Sequence, residues 1–363
     1  MNKKYKKLCG IKLLAAGAVT AVLTGCGGGS SSAPGTSTPV ATTPNTSTPA
    51  TPSTPSTPAT PISTLQAAEL QAATPAAYPE GSVQAIAFNE FNAFRAIEGL
   101  GPVRQNANID IAAKNHAAYV QTNMSGADAH HEIAGNPGFT GAEPSDRMAA
   151  AGYAGASSTE VIAFEGTQMT SVQTLLSTVF HRNAMMTQGL TDIGIAPGND
   201  SGPTYIDAGY IKPQKNAGNY VGVFPHDKQT GVPMTHHTES PNPFYKEFEM
   251  TLANVCAKTS YPISVATEAS SVLKVTSFSV TPEGQSTPLD VRLMVRDSTD
   301  QNLQYLGANV VFIVGKAPFT PGTKYTVHFV GTATGKATGT ANGLAIDKTW
   351  TFTTDTKDLM GCS

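Results

Sequence analysis

Between residues 83 and 97, Val83, Ala87, Phe91, Phe94 and Ile97 follow 4-4-3-3 spacing, which places them on one helical face, and Gly99 stops the run. A second stripe, Ile109, Ala112, Ala113, His116 and Val120, predicts a helix capped at its start by Asn108. A third, short helix is expected after Pro144 through "SDRMAAAG". A fourth, capped by Ser171, carries Val172, Leu175, Leu176 and Val179. The helical-looking sequence continues through "VFHRNAMM", with a His181–Arg182 pair, and breaks at Gly189. After it come "DIGIA", "TYIDAGYI" and "YVGVF", short segments with Gly and Asp punctuation that read as strands.

Beyond residue 262 the helical period disappears. "VLKVTSFSV", "DVRLMVRD", "NVVFIVG", "KYTVHFVG" and "KTWTFTT" are strand-like, and Tyr325, Val327 and Phe329 alternate inward, as do Trp350 and Phe352. Short strands at such regular spacing predict a β-sandwich of about 100 residues. Helices first and strands last make the whole an α+β chain.

The N-terminus assigns a compartment. Lys3, Lys4, Lys6, Lys7 and Lys12 precede an apolar run from Leu13 to Leu23 that ends in "LTGC" at Cys26. This resembles the lipobox of bacterial lipoproteins, in which the cysteine is lipidated and becomes the mature N-terminus. Gly27 in place of Asp implies sorting to the outer membrane of the cell envelope. Several acyl chains on Cys26 would hold the protein firmly on a bilayer, where one would not. The following stretch to about Pro61, with "TPSTPSTPATP", buries no core and favours extended polyproline II, so it reads as a spacer.

Loss of residues 1–25 removes five lysines and no acid, which takes the formal net charge from −3 to −8. An acidic chain without a basic stripe excludes nucleic acid as a partner. Cys9 leaves with the signal and Cys26 takes lipid. Cys256 and Cys362 remain, and in an exported chain they are expected to pair. The loop so closed, on the order of 100 residues, corresponds to about 4–5 kcal/mol in the chain-entropy model.

The chemistry-bearing residues of the middle region come in a fixed order: His130 and His131 in "AHHE", Glu160 in "STEVIA", and His181 in "FHRNAMM", with Gly194 thirteen residues further on. With the opening "FNEFNAFRAIEGLGPVRQNANIDIAAKNHAAYV", this order resembles the CAP superfamily (cysteine-rich secretory, antigen-five and pathogenesis-related proteins, also called SCP), in its bacterial branch. The resemblance spans residues 84–225 and implies an α-β-α sandwich with two histidines and a glutamate facing one cleft. His130 is favoured over His131 as the first of them, because family members often read His-x-Glu there. The chain departs from the family pattern in three places. It lacks the Asn after the Glu and the Trp six residues before the second His. "LLSTVFHR" also has no acidic residue in place of the second Glu of the eukaryotic tetrad. A three-residue site is therefore expected. His116 is read as a satisfied core histidine, and Arg147 as the partner of a carboxylate or of backbone carbonyls.

The resulting layout is a signal peptide over 1–25, a linker over 26–62 and a CAP/SCP domain with an N-terminal extension over 63–235. A connection follows over 236–261, then a domain over 262–363 that resembles bacterial immunoglobulin-like modules. Two imidazoles and a carboxylate admit a divalent cation such as Zn2+ on His130 and His181. They also admit acid–base work in a hydrolase, though neither Gly-x-Ser-x-Gly nor His-Glu-x-x-His is present. The resemblance favours a non-enzymatic module for a lipid or sterol-like ligand. An adhesive or scaffolding role toward a cell-surface protein or glycan is the remaining alternative.

Overall fold

The computed structural model describes residues 66–363 except 124–128, 165–167, 199–201, 340–341 and 363. The expected signal peptide, Cys26 and the linker to residue 62 lie outside the described residues. No helix among those described is long and apolar enough to cross a membrane.

The helices are α1 (Val83–Ile97), α2 (Ala107–Asn123), α3 (Pro144–Ala150), α4 (Ser171–Leu176), α5 (Phe180–Met185) and α6 (Leu252–Lys258). The first strands are β1 (Arg104–Gln105), β2 (Ala156–Ala163), β3 (Asp192–Pro197) and β4 (Thr204–Tyr210), which form one sheet in the order β1-β3-β4-β2. One face carries α2 and α3, the other α1, α4 and α5. This is the expected α-β-α layering. Gly194 on β3 lets α2 lie directly on the sheet, since a Cβ there would come within 2.3 Å of the Asp110 nitrogen.

The start signals shift in two places. The cap of α2 is Asn106, whose Oδ1 accepts from the Asn108 and Ile109 N–H groups, while Asn108 donates to the Gly152 carbonyl. The cap of α4 is Thr170, in a capping box with Gln173, and Ser171 instead donates to Thr204. On α1, Ala87, Phe91 and Phe94 are buried as expected, but Val83 and Ile97 at its ends are exposed.

The remaining strands are β5 (Val221–Phe224), β6 (Gln229–Val232), β7 (Ile263–Thr267), β8 (Val272–Pro282), β9 (Val291–Met294), β10 (Val310–Gly315), β11 (Lys324–Thr334) and β12 (Leu344–Thr354). They form two further sheets, β5-β7-β10-β9 and β6-β12-β11-β8. "YVGVF", expected to complete the first domain, pairs with β7, and β6 runs parallel to β12. The C-terminal β region therefore recruits strands from before residue 235, and the sheet boundary does not follow the expected one. Inward residues of both sheets, among them Val265, Phe312, Val327 and Phe352, belong to one core with Phe91, Leu175 and Ile193. A Cys256–Cys362 disulfide ties α6 to the end of the chain.

Candidate functional site

Residues 129–132, between α2 and α3, are set from beneath. His116 is fully buried on α2, with Nδ1 3.0 Å from Glu132 Oε1 and Nε2 2.8 Å from the Ala129 carbonyl. Arg147, buried on α3, donates to the carbonyls of His130 and Ala142 and, at 2.6 Å, to Glu160 Oε2. These contacts present His130 to the sheet, where its Nδ1 lies 2.8 Å from the other Glu160 oxygen. The ring keeps about a third of its side chain exposed. His131 turns outward to Glu143 at 2.9 Å. Burial works to raise the Glu160 carboxyl, but the hydrogen bond from His130 and the charges of Arg147 and His116 hold it below the usual range.

The second histidine reaches the same region through a broken helix. Ser177 and Thr178 bond back to the carbonyls of Gln173 and Leu175, which ends α4. Glu239 then takes the next two backbone donors, with 2.8 Å bonds from the Val179 and Phe180 N–H groups. The helix expected to run through Val179 is thus two short ones, and α5 packs against β2, the strand of Glu160. His181 Nδ1 sits 3.2 Å from Thr178 Oγ1 and 3.6 Å from Glu239 Oε2. Burial lowers the His181 pKa to about 4. Glu239 opposes that shift, and positive charge on His130 adds to it, so the ring is neutral near pH 7. The acidic neighbour of His181 thus comes from "THHTES", far along the chain. Glu239 is itself fixed by His236 Nε2 at 2.7 Å, which with Val179 and His181 outweighs its burial and keeps it ionised.

A second buried acid faces Glu160. Asp207 on β4 is its registered cross-strand neighbour. Neither Asp207 oxygen has a hydrogen-bond partner of normal geometry among the described residues. Burial, and after it the Glu160 charge, push its carboxyl well above the ordinary range. No sequence signal marks Asp207, because it becomes notable only once β2 and β4 are in register.

Among the described residues no group of three or more His, Cys, Asp or Glu is placed to hold a metal ion. Thr178 is no better placed as a nucleophile, since its buried hydroxyl also bonds the Leu175 carbonyl at 2.6 Å.

Residues 88–211 match the model of the cysteine-rich secretory protein family, CAP. The chain carries a CAP domain. His130, Glu160 and His181 fall inside the matched span, and Glu239 lies beyond it. No curated protein is significantly similar to the chain.

The CAP domain also has a groove of about 310 Å³ between α1, the end of β2 and the start of α4. Val83, Ile86, Ala87, Ala163, Phe164 and Met169 give it apolar walls. Val83, Ile86 and Phe164 are each at least 40% exposed, which gathers three large apolar side chains at one opening.

Proposed function

We propose that this protein is a lipid-anchored envelope protein whose CAP domain binds an apolar or amphiphilic small ligand without chemical turnover. The groove supports this reading best. Its volume is at the lower end of ligand pockets, and exposed Val83, Ile86 and Phe164 form the kind of gathered apolar surface that marks a binding site. Ile86→Asp with Phe164→Asp alters only exposed positions, so the fold should survive. The pair is expected to weaken binding of an apolar fluorescent probe by about tenfold or more, the equivalent of ~1.4 kcal/mol. It should also remove lipid seen by native mass spectrometry. Unchanged probe affinity would end this reading.

Anchoring rests on Cys26 and on the lipobox-like sequence before it. Cys26→Ser is expected to move the protein from the membrane fraction to the soluble one and to change its processing. Continued membrane association would show that something else holds it there.

Acid–base catalysis is the second reading. It is favoured by His130, oriented through Nδ1 by a carboxylate that Arg147 holds in place, beside a neutral His181. Water would have to be the nucleophile.

A further inference from the structure

The groove has charge as well as shape. Glu90 on α1 is the one charged group among its described lining residues, and it has no ion-pair partner among the described residues. The polar rim is committed elsewhere. Thr170 Oγ1 donates to Glu90 Oε2 at 2.5 Å and accepts from the Gln173 N–H at the start of α4. Ser171 Oγ donates to Thr204 Oγ1 at 2.8 Å. These two hydroxyl protons, and the capped α4 amide, are thus used within the protein. What the rim presents to a ligand is acceptor and negative charge. A carboxylate-headed ligand would bring like charge onto Glu90 without a matching donor. An ammonium head brings three donors and the opposite charge.

We propose that the groove selects a long-chain amine, an apolar tail with a primary ammonium at the Glu90 end, over a fatty acid of the same length. This rests on the groove being the ligand site, as argued above.

The test uses the full chain carrying Cys26→Ser, with dodecylamine, dodecanol and dodecanoate as probes. Each is titrated by calorimetry below its micelle concentration at pH 7. Dodecylamine is expected to bind at least about tenfold tighter than dodecanoate, the equivalent of ~1.4 kcal/mol. Glu90→Gln retains an acceptor for Thr170 and should reduce that preference to about twofold or less, with dodecanol affinity little changed. Dodecanoate binding as tightly as the amine in the parent, or a preference that survives Glu90→Gln, would overturn the selectivity while leaving the groove as a binding site. If none of the three binds, the groove reading itself falls and the selectivity with it.

Discussion

Arg182→Ala is expected to destabilise the protein by about 3–5 kcal/mol, the scale for removing one partner from a buried charged network. Its guanidinium is fully buried and donates to the Leu176 carbonyl through Nε at 2.6 Å, and through Nη2 as well. Nη1 bonds the Pro262 carbonyl at 2.6 Å. The same group lies over the rings of Phe224 and Tyr261, 4.9 and 4.6 Å from their centroids. One side chain therefore joins the end of α4, β5 and the entry to β7. Truncation would leave two carbonyls short of donors and a cavity among aromatic rings. A fall in melting temperature on the order of 10 °C is expected. Arg182→Lys should recover only part of it, because an ammonium cannot reproduce the planar fork. A melting temperature within about 2 °C of the parent would show that α5 is held by other contacts. His181 is the preceding residue, so loosening Arg182 should also move its ring, visible as a changed His181 imidazole resonance.

The role of Arg182 marks where reading from sequence stops. The order His130, Glu160, His181 was legible because it is carried by local segments, and "VFHR" could be seen to hold a histidine on helical sequence. That the adjacent arginine would point into a second sheet was not, since β5 and β7 meet only in the folded chain. Helix α1 was legible from its stripe, while its exposed ends were not. Val83 lines a groove, and periodicity cannot separate that from core packing. The break between α4 and α5 depends on Glu239 capturing the N–H groups of Val179 and Phe180, a contact across some sixty residues. Short-range pattern carries no trace of it. The same distance hid the acidic neighbour of His181.

Glu98→Gln is expected to stabilise the protein, and increasingly so as pH rises. Glu98 ends α1 and is almost fully buried. Neither of its carboxyl oxygens has a hydrogen-bond partner among the described residues, and the same holds for Asn216 Oδ1 and the Tyr220 hydroxyl. Asn216 donates at 2.8 Å to the carbonyl of Gly99, the residue after Glu98. Gly222 leaves the room these groups occupy, since a Cβ there would fall 2.3 Å from the Tyr220 hydroxyl and 2.5 Å from Glu98 Oε2. Burial pushes the Glu98 pKa up to about 8, against the opposing charges of Arg182 and Lys348. A folded pKa above the unfolded one gives stability that is complete below the unfolded value and is lost as pH rises through the folded value. Between about 4.5 and 8 the unfolded chain releases this proton while the folded one keeps it, which removes about 1.4 kcal/mol per pH unit. By pH 7 the loss is on the order of 3 kcal/mol. Glutamine has no proton to release, and its amide can donate to the Tyr220 oxygen. Urea unfolding should therefore give variant and parent similar stabilities near pH 4.5, a gap that widens in the variant's favour to about pH 8, and a constant gap beyond. Asp207 is raised by burial in both proteins alike, so it drops out of the difference. A gap that does not change with pH would mean that Glu98 does not keep its proton on folding, and that its burial is compensated by a contact other than those seen at Gly222.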